Sequence, residues 1–173
     1  MLFLEKMRRN IKRWHCKKFC PRRYMKGIVI VIPYDREKNR ILLIKEFIHY
    51  YDRAFWKFVS GGIDKGGLSI LEHAQEELAE ELQMKSSHWI HYYTFQEFFR
   101  SKKVFVFFAE NTQELEKQKK NPDHRLGNYI LERRWLGIDE LWKMIEANEI
   151  IPQESVLVAL RFLREQEKKK LSV

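Results

Sequence analysis

The apolar positions of this chain predict several strands. Two β-branched and aliphatic runs, at residues 27–34 and 41–47, have the length and composition of buried strands. Two aromatic runs, at 88–98 and 103–109, are separated by a polar turn and predict a β-hairpin. A short strand is predicted at 130–136. The polar stretch between the last two runs predicts a long loop over 111–128.

Helical spacing marks three further segments of the chain. Between residues 69 and 84 the apolar residues recur at steps of three and four, which predicts one buried helix face: Leu71, Ala74, Leu78 and Leu82. Ser69 precedes this helix and can accept hydrogen bonds from its first free amides. Two more helices, at 137–147 and 152–168, are predicted to close the chain.

The beginning of the chain carries the net positive charge. Residues 1–26 contain ten Lys or Arg and one acidic residue, whereas the rest of the chain is neutral. Residues 2–14 have the spacing of a basic amphipathic helix. We therefore expect a basic extension at 1–23, followed by one domain at 24–173. Three roles for the extension are open: packing on the domain or on a second subunit of a homodimer, contact with RNA phosphates, or contact with an anionic membrane surface.

Composition indicates where the protein works. At 173 residues and 45% hydrophobic content, the chain has enough apolar side chains for one core, and no apolar run predicts a transmembrane segment. The first residues do not follow the order of a secretory signal peptide. Two cysteines, Cys16 and Cys20, are too few for a disulfide scaffold. These features predict a cytoplasmic protein.

The helix predicted after Ser69 carries a cluster of acidic residues. No Lys or Arg occurs between Lys65 and Lys85, and the helix has five glutamates: Glu72, Glu76, Glu77, Glu80 and Glu81. Like charges one turn apart cost about 0.2–0.5 kcal/mol per pair on an isolated helix. Two interpretations are open. The face is solvated or paired with basic residues from elsewhere in the chain, or its carboxylates bind a hard cation such as Mg²⁺ or Mn²⁺.

This stretch also resembles a known motif. Residues 61–84, GGIDKGGLSILEHAQEELAEELQM, are similar to the Nudix box, G-x5-E-x7-R-E-U-x-E-E-x-G-U, in which U is a bulky aliphatic residue. Residues 77–81, ELAEE, fall on E-U-x-E-E. Three positions depart from the pattern: Leu68 replaces Glu, Glu76 replaces Arg and Gln83 replaces Gly.

The flanks of the box resemble the ADP-ribose pyrophosphatase branch of the Nudix family. That branch often has W-E-x-P-A-G before the box, where this chain has Lys57 in place of Glu and Val59 in place of Pro. The segment from residue 133 onward is similar to the ending of the same branch. The resemblance implies an α/β fold, a Nudix-type α/β/α sandwich with a mixed β-sheet.

The resemblance also implies a function. It is Mg²⁺-dependent hydrolysis of the pyrophosphate bond in a nucleoside diphosphate linked to a second group, such as ADP-ribose or a nucleotide sugar. One alternative is hydrolysis of an RNA 5′ end or a dinucleoside polyphosphate. Another is a catalytically degenerate fold that binds nucleotide or RNA.

The resemblance assigns roles to particular residues. It implies that Glu77 and Glu81 bind Mg²⁺ (or Mn²⁺), that Glu80 is a further ligand or a base that orients water, and that the carbonyl of Gly61 contacts the metal. We expect Glu77 and Glu81 to lie on the solvent side of the helix. Since Glu76 adds negative charge where the family has a cation, the sequence predicts that Glu76→Arg raises the rate.

Overall fold

A computed structural model describes residues 26–96, 102–117, 119 and 129–171 of the chain. The predicted basic extension, its amphipathic helix and both cysteines lie outside these residues. So do the tip of the predicted hairpin and most of the loop predicted after it.

The five predicted strands and three predicted helices all form, and the chain forms two further short strands between residues 53 and 62. The strands are β1 (Gly27–Asp35), β2 (Arg40–Ile48), β3 (Arg53–Lys57), β4 (Val59–Gly62), β5 (Met84–Gln96), β6 (Lys103–Glu114) and β7 (Tyr129–Gly137). The helices are α1 (Ile70–Leu82), α2 (Ile138–Glu146) and α3 (Gln153–Leu171). The loop prediction was too long, because β6 pairs with β5 as far as Glu114.

The strands build one mixed sheet, as predicted. Its order is β3-β2-β1-β6-β5, with β4 also paired to β1 and β7 also paired to β2. β1 and β6 are parallel, whereas the other pairings are antiparallel. Since β1 and β2 pair only beside their turn, at Tyr34 and Asp35, the two strands separate toward the other end of the sheet.

The separation of β1 and β2 creates a fork in the sheet. β3 pairs with β2 up to Lys57, and β4 pairs with β1 from Val59 onward. The chain therefore crosses from one arm of the fork to the other at Phe58, which is fully buried. This crossing brings Lys57 of β3 and Ser60 of β4 to one place in the sheet, since both contact Glu81.

Apolar side chains cover both faces of the sheet. One core cluster lies between the sheet and helices α2 and α3 and includes Phe58, Leu141 and Phe162. The other lies between the sheet and α1 and includes Leu78 and Leu82. The molecule is thus the α/β/α sandwich that the resemblance implied. Within the described residues, no helix combines the length and apolar character needed to cross a membrane.

Candidate active site

The start of α1 is held by local hydrogen bonds. Ser69 caps the helix as predicted: its hydroxyl accepts from the Glu72 amide at 3.2 Å, and the Glu72 carboxylate accepts from the Ser69 amide at 2.6 Å. The second of these bonds lowers the pKa of Glu72. His73 is buried, with Nε2 accepting from the Lys65 amide at 3.2 Å and Nδ1 lying 2.8 Å from the Ser69 carbonyl oxygen. His73 therefore fastens the Gly-rich turn to the helix.

The buried face of α1 differs from the predicted one at two positions. Leu71 was predicted to face the core but is 36% exposed, and His73 is buried in its place. Glu81 was predicted to lie on the solvent side but is only 7% exposed. The prediction was wrong at Glu81 because α1 lies across the fork in the sheet, where polar groups of the crossing segment face the helix. Ala74, Leu78 and Leu82 are buried as predicted.

Glu77 lies directly against the backbone of β4. A Cβ atom on Gly61 would overlap the Glu77 carboxylate, so the contact requires glycine at this position. The structure thereby brings together Gly61 and Glu77, two of the residues that the sequence assigned to a metal site. The sequence pattern could not predict how close the carboxylate comes to the backbone.

A buried lysine occupies the fork beside Glu81. The Nζ atom of Lys57 lies 2.7 Å from Oε2 of Glu46 and 3.6 Å from Oε1 of Glu81. The other Glu81 oxygen accepts a hydrogen bond from the Ser60 amide at 3.4 Å. Burial alone would lower the pKa of Lys57, but the charges of Glu81 and Glu46 outweigh it and raise that pKa. Lys57 is therefore a charged ammonium group between two buried carboxylates.

Glu76 and Glu80 face a second lysine, at the edge of the site. Lys65 forms ion pairs with Glu76 and, at 3.2 Å, with Glu80. Lys119 lies 3.1 Å from the other oxygen of Glu76. The hydrogen bond from Lys65 is the main cause of the lowered pKa of Glu76. The reasoning that Glu76 leaves uncompensated negative charge is therefore wrong, because two lysines supply the cation that the family's Arg would provide.

Gln83 also departs from the box pattern, and it also contacts Lys119. It ends α1 in the left-handed conformation, with φ of 57°, which is the conformation that favours glycine. Its side-chain amide accepts from the Lys119 amide at 2.6 Å and donates to the Lys119 carbonyl at 2.7 Å. Glu76 and Gln83, two of the three residues that differ from the box pattern, therefore both contact Lys119, which follows β6.

The donor atoms near α1 fit a hard divalent cation in their chemistry. Glu77, Glu80 and Glu81 offer carboxylate oxygens within two turns of one helix, and Glu77 lies against a glycine that admits a close approach. Their side chains do not form a ready metal cage. Within the part of the chain that the structure describes, no three acidic, His or Cys side chains are grouped closely enough to hold an ion. Lysines hold Glu80 and Glu81 instead.

Several residues of this site were given no role from the sequence: Glu46, Lys57, Lys65, His73 and Lys119. Glu46 lies in a mainly apolar strand, where an acidic residue was a usable signal of a buried ion pair, although the signal did not identify its partner. His73 and Lys119 gave no comparable signal. The position of His73 depends on the packing of the Gly-rich turn, and Lys119 lies 43 residues from its partner Glu76.

Comparisons with known proteins agree with this architecture. An ADP compounds hydrolase has a similar crystal structure, with a TM-score of 0.66 and 19% identity over 85% of this chain and 75% of that chain. A structure described as MutT from the psychrophilic fish pathogen Aliivibrio salmonicida and the mesophile Vibrio cholerae has a TM-score of 0.59 and 20% identity over 80% of this chain and 97% of that one. No curated protein matches the sequence. The family model of the NUDIX domain matches residues 24–157, and the chain therefore belongs to the Nudix hydrolase family.

Proposed function

We propose that this protein hydrolyses the pyrophosphate bond of a nucleoside diphosphate linked to a second group, with ADP-ribose or a nucleotide sugar as its substrate. Nudix hydrolases generally use a divalent metal, and here Glu77, Glu80 and Glu81 would hold Mg²⁺ or Mn²⁺ together with the carbonyl of Gly61. The observation that carries the proposal is the contact of the Glu77 carboxylate with the backbone of Gly61, since only glycine allows it. The likeness to an ADP compounds hydrolase supports the substrate class.

The bound metal would neutralise phosphate oxygens and lower the pKa of a water molecule. The chain's own residues then have three tasks. Gly61 allows the Glu77 carboxylate to lie against β4, and the Ser60 amide orients Glu81. Glu80 is partly accessible at the edge of the site and accepts the proton of the attacking water or orients that water. Attack forms one phosphorus–oxygen bond and breaks the bridging one, which yields a nucleoside monophosphate and a phosphorylated second group.

The ion pairs of the site favour a second candidate. Lys57 and Lys65 already pair with Glu81 and Glu80, so these carboxylates are less available to a metal ion. A protein that binds a nucleotide or RNA without hydrolysing it would not need them for that purpose. The two candidates differ in the need for a metal, since a binding protein needs none for catalysis. Hydrolysis of RNA 5′ ends or dinucleoside polyphosphates is a variant of the first candidate.

One experiment separates these functions. The full chain is incubated with ADP-ribose, nucleotide sugars, dinucleoside polyphosphates and 5′-triphosphorylated RNA, with Mg²⁺, with Mn²⁺ or with EDTA. We expect turnover of one compound class that EDTA abolishes and that Glu77→Gln removes. Binding of a nucleotide without metal-dependent turnover would instead establish the binding function.

Several sequence predictions remain part of this proposal. The homodimer and the RNA contact depend on residues 1–23, which lie outside the described part of the chain. Deleting residues 1–22 is expected to leave hydrolysis of small nucleotides intact and to reduce any salt-dependent affinity for RNA. Cytoplasmic localisation stays a prediction from cysteine content.

A further inference from the structure

The role of Lys57 is not explained by the proposed reaction. It stands where the ADP-ribose pyrophosphatase branch often has Glu, and it is only 8% exposed. On β3 it pairs with Ile44 of β2, which makes Glu46 its diagonal neighbour on the same face of the sheet. A long charged side chain is rarely buried in this way unless it is paired, so its partners indicate its role.

We propose that the ammonium group of Lys57 is a built-in counter-ion that competes with a bound divalent cation for Glu81, and so sets how tightly the protein holds its metal. The inference rests on the proposed function, because it concerns the same cation site.

The distances support an unequal sharing of the ammonium group. Lys57 is in hydrogen-bonding contact with Glu46, at 2.7 Å, but lies 3.6 Å from Glu81. Lys57 therefore compensates the charge of Glu81 less fully than that of Glu46, although the Glu81 side chain is 3% exposed and that of Glu46 is 5% exposed. A carboxylate in this position still attracts a cation, and the nearby ammonium group weakens that attraction.

The same arrangement lowers the cost of burying the acidic side chains of the site. Glu46 and Glu81 would be costly to bury as ions without a positive charge between them. Lys57 lies between them and supplies that charge. A divalent cation bound at Glu81 must lie close to the ammonium group, and the two positive charges repel each other strongly in a site screened from water.

Direct measurement of Mn²⁺ binding tests the proposal without relying on activity. The full chain is titrated with Mn²⁺ at neutral pH in the absence of nucleotide, and free Mn²⁺ is followed by electron paramagnetic resonance. We expect Lys57→Met to bind Mn²⁺ at least about tenfold more tightly than the unmodified protein. A purely structural Lys57 predicts the opposite, since its loss would disorder the carboxylates and weaken binding.

Lys45→Met is the matched control. Lys45 pairs with Trp56, next to Lys57 in sequence, but neighbouring strand residues point to opposite faces of the sheet, and Lys45 lies over the Trp56 ring. The control makes the same change of charge away from Glu81. Its Mn²⁺ affinity is expected to stay within about twofold of the unmodified protein.

A second variant keeps the test decisive if Lys57→Met does not fold. Glu46→Gln removes the nearer carboxylate from the ammonium group, which then pairs more strongly with Glu81, so Mn²⁺ binding is expected to weaken. Equal or weaker binding by Lys57→Met, or equal or tighter binding by Glu46→Gln, overturns the proposal. If neither the unmodified protein nor any variant binds millimolar Mn²⁺, the metal site of the proposed function fails as well. Binding that is equal in all variants rejects only the role of Lys57.

Discussion

Replacing Glu76 by Arg separates the sequence-based view of the box from the structural one. The box pattern predicts a faster enzyme, because Arg stands at this position in the family. In the structure, Glu76 forms ion pairs with Lys65 and Lys119. Glu76→Arg removes both pairs and places a third positive charge beside two lysines. We therefore expect the variant to be less stable and no faster.

The size of the effect follows from the exposure of the three side chains. Lys65, Lys119 and Glu76 are 40%, 44% and 29% exposed, so each pair is worth about 0.2–1 kcal/mol. The new repulsion is of similar size, which gives a total loss of about 1–3 kcal/mol. In a protein of this length, such a loss lowers Tm by about 2–12 °C.

Two measurements test this expectation. Thermal unfolding is followed by circular dichroism, and kcat is measured at saturating metal on the substrate found in the nucleotide screen. Glu167→Arg makes the same change of charge on the exposed surface of α3 and is expected to change Tm by less than about 2 °C. A Glu76→Arg protein with unchanged Tm and higher kcat would refute the reasoning, since it would show that the lysine pairs contribute nothing.

Three further predictions concern the same site. Glu77→Gln and Glu81→Gln are both expected to abolish metal-dependent turnover. Only Glu81→Gln should also lower Tm, because Glu81 is buried beside a charged lysine. Equal Tm values in the two variants would contradict this difference. Gly61→Ala is expected to reduce kcat by at least about tenfold, because the new methyl group displaces Glu77. In the control variant Gly66→Ala the methyl group meets no atom within 4 Å, so activity should be retained. Similar rates in the two variants would disprove the role of Gly61. Because the pKa of Glu76 is lowered by folding, its contribution to stability is complete above the ordinary pKa of 4.5 and is lost as the pH falls toward the folded-state pKa. The difference in unfolding free energy between the unmodified protein and Glu76→Gln, measured by urea denaturation, should therefore shrink on acidification below 4.5. A difference that grows on acidification would contradict the assignment.

Local patterns in the sequence were sufficient to predict most strands, the three helices and the cluster of acidic residues on α1. Runs of apolar residues predicted five of the seven strands in the described residues, because a strand buried on both faces requires apolar residues along its whole length. Ser69 predicted the start of α1, since capping involves only residues of the first turn. The spacing of Glu77, Glu80 and Glu81 placed them on successive turns of that helix, and the family model agrees with the resemblance that followed.

The charge balance of the site was decided only by the tertiary structure. Lys57 and Glu46 meet because β2 and β3 pair in one register, and Glu81 joins them because α1 crosses the fork between β1 and β2. Lys119 reaches Glu76 across 43 residues of chain. Neither contact has a local pattern, because the distance between two charges depends on how the elements pack. The sequence therefore determined which carboxylates line the site, and the packing of the sheet against α1 determined which lysines neutralise them.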